Sequence, residues 1–256
     1  MKTGNKTTKR LAKFCMVLLA CASLTGCAGS KQAKYDVYDP FENVNRATFA
    51  FNDALDKAVA EPIARGYRAV TPEPVRTGLR NFLRNLRSPV NIGNQVLQGD
   101  VQGASSDILR VMINTTFGMG GLIDVAGHAG LEYEREDFGQ TMAVWGFEDG
   151  AYMVLPLFGP STVRDATGTL VDTLADPLRL YLHNTDQDEW NYARLGATAL
   201  SKREELLDVL EDLRKNSFDY YAALRSSYVQ RRKALVNDED PDAVQSPSIP
   251  DYEEDL

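Results

Sequence analysis

The chain has 256 residues, with 28 basic against 36 acidic side chains and a formal charge of −8. That balance argues against a nucleic-acid partner, because a basic surface supplies most of such affinity. Three cysteines and two histidines leave little material for thiolate–zinc sites.

The first 26 residues read as a leader. Lys2, Lys6, Lys9, Arg10 and Lys13 form a basic region, and Phe14 to Leu24 follow as an apolar stretch of roughly a dozen residues. That length suits a secretory signal and falls short of a membrane span. Leu24-Thr25-Gly26-Cys27 has the form of a bacterial lipobox. The mature chain is therefore expected to start at Cys27, with its thiol diacylated and its new amine acylated. Cys15 and Cys21 leave with the leader, so no disulfide is possible. Ala28 follows the cysteine, and the absence of Asp there favours export to the outer membrane. Removing the leader's five basic residues leaves 23 basic against 36 acidic, or −13, so any binding to anionic lipid must be local.

Residues 27–37 read as a lipidated tether, 38–236 as one all-α domain, and 237–256 as a disordered acidic tail. Asp39-Pro40-Phe41-Glu42 has the form of a capping box with Pro at the first helical position. Val44, Ala47, Phe51, Leu55 and Ala58 continue at helical spacing, and Pro62 is expected to end the run. Thr71-Pro72-Glu73-Pro74 opens a second helix, Gly99 closes a third, and Asp100 caps a fourth running to about Phe117. Tyr152 to Phe158 looks extended, with Pro156 demoting it from a central strand. Ser161 is expected to cap a helix with Val163, Thr167, Leu170, Val171 and Leu174 on one face. Asp176-Pro177 starts a short helix, and 188–215 and 217–236 read as two longer ones.

Three stretches stand out as sites. Arg76, Arg80, Arg84 and Arg87 fall at offsets 0, 4, 8 and 11 and share one helix face, with Val75, Leu79, Phe82 and Leu86 on another. This is either a basic amphipathic helix on lipid headgroups or a solvated helix with its apolar face buried. Val111 to Ile123 carries no charge and is too short to span a bilayer. It reads as a core helix with a glycine turn, or as a segment dipping into one leaflet. Asp107, Arg110 and Asn114 form a narrow polar stripe just before and within it. Pattern alone favours an exposed face with one weak ion pair over a polar seam for a lipid headgroup. Gly118, Gly120 and Gly121 do not make a dinucleotide site, since Ile123 stands where a further glycine is needed and a helix precedes them. No nucleophile elbow, metal-ligand pair or other catalytic constellation is present, so neither an enzyme nor a cofactor is expected.

Several blocks resemble one family. Asp39-Pro40-Phe41-Glu42-Asn43-Val44-Asn45-Arg46, Asn81-Phe82-Leu83-Arg84-Asn85-Leu86 and Leu97-Gln98-Gly99-Asp100 are similar to the VacJ/MlaA outer-membrane lipoproteins. So are Gly118 to Gly127, Asp137 to Thr141 and Leu155 to Asp165, in family order. The resemblance implies an all-helical ring lying in the periplasmic leaflet around an amphipathic pore. It implies removal of mislocalised phospholipid from the outer leaflet, delivery to a soluble periplasmic carrier, and association with trimeric porins. Under that reading Asp107, Arg110 and Asn114 are candidates for the polar side of a lipid conduit, and Phe117, Met119, Leu122 and Ile123 for its greasy side. The rival reading is a structural envelope lipoprotein that braces porins without moving lipid.

Overall fold

The computed structural model describes residues 37–239. The leader, Cys27, the tether up to residue 36 and the tail from residue 240 lie outside the described residues. The described chain is helical apart from one hairpin. In order it contains α1 (Glu42–Leu55), a π-helical turn (Asp56–Ala60), α2 (Glu61–Val70), α3 (Glu73–Gln98), α4 (Val101–Thr116), α5 (Val125–His128) and α6 (Phe138–Val144). Then come β1 (Tyr152–Leu155), β2 (Gly159–Thr162), α7 (Val163–Ala175), α8 (Pro177–Asn184), α9 (Asp188–Glu205), α10 (Leu207–Asn216) and α11 (Tyr220–Val236). No described helix is long and apolar enough to cross a membrane.

Polarity runs inside out. Among the described residues, buried polar and charged side chains outnumber buried apolar ones roughly two to one, and half of the latter are alanines. Large apolar side chains stand outside instead: Val70 is 81% exposed, Val101 74%, Phe117 73% and Phe158 75%. Burying such a side chain is worth about 1.5–3 kcal/mol, so a water-facing surface of this kind would forgo a large stabilisation. The apolar cluster that remains is small, with Tyr152, Val154 and Tyr221 at its centre and Phe49 and Tyr228 against it.

The α1 start differs from the expected capping box. Phe41 occupies the N-cap without a side-chain bond, and the helix begins at Glu42. Asp39 is committed elsewhere: it accepts from Asn45 Nδ2 (2.7 Å), from Arg225 Nη1 (2.7 Å) and from the Tyr221 hydroxyl. The Asn45 amide in turn clips β1, donating to the Tyr152 carbonyl (3.1 Å) and accepting from the Val154 N–H (2.9 Å). Two helical turns on, Asn52 does the same at the Leu155 carbonyl and the Leu157 N–H, both at 2.9 Å. A helix has no free backbone groups along its side, so side-chain amides stand in for a neighbouring strand.

Pro62 does not end the run. The chain widens into the π-helical turn just before it and continues as α2, which accommodates a residue with no N–H to donate. The two helices expected between 71 and 99 are one, about 39 Å long, passing through Pro89. Gly99, at φ +82°, closes it, and Asp100 caps α4 by accepting from the Gly103 N–H (2.9 Å). The extended stretch stops at Leu155, and residues 156–158 form the turn to β2, which pairs antiparallel with Tyr152 opposite Thr162. Thr162, not Ser161, caps α7. The expected α7 face of Val163, Leu170 and Leu174 points outward, while Arg164, Asp165, Gly168 and Asp172 are buried. α6 and α7 meet backbone to backbone, since a Cβ on Gly168 would lie 2.3 Å from the Gly139 nitrogen. The stretch 188–215 divides at Leu206, and the last helix starts at Tyr220 under the Asp219 cap.

Ion pairs tie distant segments together. Glu204 of α9, 2% exposed, lies 2.8 Å from Arg68, 3.8 Å from Arg80 and in direct contact with Arg76. Arg203 pairs with Asp56 (2.6 Å), and Arg214 with Asp53 (3.1 Å) and Glu61 (3.0 Å). Along α11, Tyr221, Arg225, Tyr228 and Arg232 share one face, and Arg232 reaches Asp137 (2.6 Å) and Asp165 (2.8 Å). Glu136 is buried and accepts from Gln98 (2.7 Å) and Gln140 (2.8 Å). Burial pushes its carboxyl up to about 7, against the Gln98 hydrogen bond.

Two outcomes follow from these pairs. Glu204→Gln leaves Arg76 and Arg80 without their carboxylate and is expected to destabilise the fold by about 3–5 kcal/mol, read by thermal unfolding in detergent; an unchanged Tm would show the hub to be dispensable. Glu136 binds its proton more tightly folded than unfolded, so its stabilising contribution is present below the ordinary Glu range and lost as pH rises through about 7. Glu136→Gln should therefore raise Tm relative to the parent at pH 8 and leave it unchanged at pH 4.

Candidate functional site

The two stretches singled out at 76–87 and 107–114 meet across α3 and α4. Asn81, Arg84, Asn85 and Ser88 of α3 face Arg110 and Asn114 of α4 across a polar cavity completed by Asp124 and Tyr133. Its open space is about 10 Å³, room for roughly one water molecule.

Asp124 organises this site. Its side chain caps α5 through the Gly127 N–H (3.0 Å), accepts both Arg110 contacts at 3.0 Å and accepts from Asn114 Nδ2 at 2.8 Å. Burial alone would raise its pKa, but the Asn114, Gly127 and Arg110 contacts outweigh that and hold it below the ordinary Asp value. Arg110 also donates to the Leu131 carbonyl, and Asn114 Oδ1 accepts from the Ala126 N–H at 2.9 Å. The Tyr133 ring lies under two guanidinium groups, Arg84 at 5.1 Å and Arg110 at 5.7 Å from its centroid. The glycine turn packs onto α3 from the other side. Gly121 has φ +100°, and a Cβ there would meet Asn85 at 2.6 Å. Asn85 donates to Thr115 (3.0 Å) and to the Gly120 carbonyl (3.4 Å).

The 107–114 stripe is not the exposed face that pattern favoured. Asp107, Arg110 and Asn114 are 2%, 5% and 6% exposed, and the apolar side of α4 carrying Ile108, Leu109 and Met112 faces out. Asp107 does not line the cavity and lies 3.9 Å from Arg110. Burial pushes its carboxyl up to about 6, against the Arg110 charge and hydrogen bonds from Asn91 and Gln95. Phe117, Met119, Leu122 and Ile123 do not line the cavity; they are exposed around the glycine turn.

The arginine face of α3 is turned toward acids. Arg76 and Arg80 meet Glu204, Arg84 lies 3.7 Å from Glu205, and Arg87 lies 3.6 Å from Asp172. Arg84 also belongs to the cavity. Asn81, Asn85, Ser88, Asp124 and Tyr133 were not singled out from the sequence. Asn81, Asn85 and Ser88 at offsets 0, 4 and 7 were visible as a polar stripe beside the arginines, whereas Asp124 and Tyr133 had no periodic signal. No cluster of His, Cys, Asp or Glu fit to hold a metal occurs among the described residues.

Comparison with known proteins places this geometry. Residues 37–235 match the family described as MlaA lipoprotein. A Rickettsia felis protein, called only "Uncharacterized protein", is 38% identical over 78% of this chain and 79% of its own. The Escherichia coli (strain K12) protein "Intermembrane phospholipid transport system lipoprotein MlaA" is 33% identical over 93% of this chain and 94% of its own. A solved structure described under "Structural basis for maintenance of bacterial outer membrane lipid asymmetry" superposes with a TM-score of 0.68 at 37% identity, covering 78% of this chain and 99% of that one. With the family matched across nearly all the described residues, the chain belongs to the MlaA lipoprotein family.

Proposed function

We propose that the protein is a phospholipid conduit of the outer membrane, drawing mislocalised phospholipid from the outer leaflet and passing it to a soluble periplasmic carrier. On this reading Cys27 is acylated and holds the chain at the periplasmic face. A trimeric porin is its partner in the membrane. The reaction is transfer without bond making or breaking, so no catalytic residue is assigned.

One observation carries the reading: the inverted polarity. An apolar exterior needs lipid or an apolar partner around it, and a polar interior offers hydrogen-bonding groups to a headgroup. The arginine-lined cavity between α3 and α4 adds a place where both halves of a zwitterionic headgroup find partners, Arg84 and Arg110 for phosphate and Asp124 for an amine. Family membership, and the phospholipid transport named for the Escherichia coli relative, support the same direction. Arg76, Arg80, Arg84 and Arg87 act here as an inner face toward the headgroup path, since their outward reach is taken up by Glu204, Glu205 and Asp172.

In cells lacking the protein, labelling of surface phosphatidylethanolamine by a membrane-impermeant amine reagent should rise; no rise would favour the structural-brace reading. A photo-crosslinking residue at Tyr133 should capture phospholipid in cells, whereas one at Glu189 should not, and equal capture at both would remove the cavity from the path.

A further inference from the structure

Most arginines in this chain are committed to a carboxylate. Arg135 and Lys202 are not, as neither has an ion-pair partner among the described residues. Contacts around them bring both to one place. Arg76, Arg80 and Arg84 of α3 hold Glu204 and Glu205, which pins the last turn of α9 against α3, and Lys202 stands in that turn. Arg87, one turn beyond Arg84, donates to the Glu136 carbonyl (3.3 Å), the residue next to Arg135. Arg232 of α11 grips Asp137, one residue further along the same loop.

Arg135 and Lys202 are exposed to solvent, and the pKa of each is lowered. The Arg135 charge leads in pulling the Lys202 ammonium down to about 8, followed by loss of bulk water and the charges of Arg87 and Arg231. Loss of bulk water and the Arg87 charge likewise lower Arg135. The facing acids offset the charge only in part: Asp137 beside Arg135, Glu205 beside Lys202, and Asp172 at 3.6 Å from Arg87. Like charges held together, as Arg87, Arg135 and Lys202 are, attract an anion. Two guanidinium forks with an ammonium suit a phosphate, the forks pairing oxygens bidentately and the ammonium acting as a point charge.

We propose that Arg87, Arg135 and Lys202 form a phosphate-binding station that takes the phosphodiester of a glycerophospholipid, a reading that rests on the conduit function proposed above. Arg84, which lines the polar cavity, lies one helical turn away along α3, so the station continues the polar side of the cavity.

The test is calorimetric titration of the full acylated protein in non-ionic detergent with three probes: dihexanoylphosphatidylethanolamine, dihexanoylglycerol and inorganic phosphate. Lys202→Met and Arg135→Gln are each expected to weaken the phospholipid about tenfold, the loss of one charged hydrogen bond. Binding of dihexanoylglycerol, which lacks the phosphate, should not change, and Lys202→Arg should retain most of the affinity. Neither side chain makes an ion pair, and an unchanged Tm confirms that each variant folds. Parent binding of phospholipid that both variants match overturns the station and leaves the conduit standing. Loss of inorganic phosphate binding alone, with phospholipid unaffected, assigns the three cations to free phosphate and also overturns the proposal. If the parent binds no phospholipid, station and conduit reading fall together.

Discussion

A chain that turns its large apolar side chains outward has to fill its interior with polar ones, and a buried ion without a partner costs several kcal/mol. This sets the architecture. Guanidinium groups from distant segments converge on Glu204 and Asp56, and Asp137 and Asp39 each hold one, joining α9 to α2 and α3, α9 to the π-helical turn, α11 to the loop before α6, and α11 to the start of α1. Apolar packing is non-directional and would admit many arrangements. A guanidinium–carboxylate pair has a fork geometry, so each one also fixes which segments are neighbours. Arginine supplies nearly all these cations, consistent with its permanent charge and weaker hydration.

The hairpin is the other half of that logic. Its tip carries Leu157 and Phe158 into the surroundings, while Tyr152 and Val154 at its base hold the small apolar cluster. A two-stranded hairpin is marginal by itself. Here the amides of Asn45 and Asn52 replace a third strand, and Asn45 is held in turn by Asp39. Asp39 thus links the hairpin clip to α11 through Tyr221 and Arg225. A carboxylate at a helix start is ordinarily a cap, and it was freed for this role because Phe41 occupies the N-cap position.

Helix positions were largely legible in the sequence, and helix orientation was not. Spacing marked the faces of α4 and α7 correctly, but reading the apolar face as the inner one assumes water outside. Asp107, Arg110 and Asn114 therefore looked like a solvated stripe when they are buried. The arginines of α3 were legible as a face, while their partners Glu204, Glu205 and Asp172 lie far along the sequence and carry no local signal. β2 was hidden because Gly159 and Pro160 argue against a strand, and only pairing with β1 makes one. Pro62 misplaced a helix end because the neighbouring π-helical turn absorbs the missing donor without breaking the rod.

The same rule that builds the interior bears on how lipid would pass. The cavity between α3 and α4 has room for about one water molecule, with Arg110 and Asp124 paired across it. Admitting a headgroup there separates two charged groups, one of them buried, which is costly unless each finds a new partner. A zwitterionic headgroup carries both partners, a phosphate for Arg110 and an amine for Asp124. Entry then becomes an exchange of ion pairs with little net change, whereas a neutral diglyceride or a water file offers no such exchange. On the proposed conduit reading, the Arg110–Asp124 pair is one that a charged headgroup replaces at low cost.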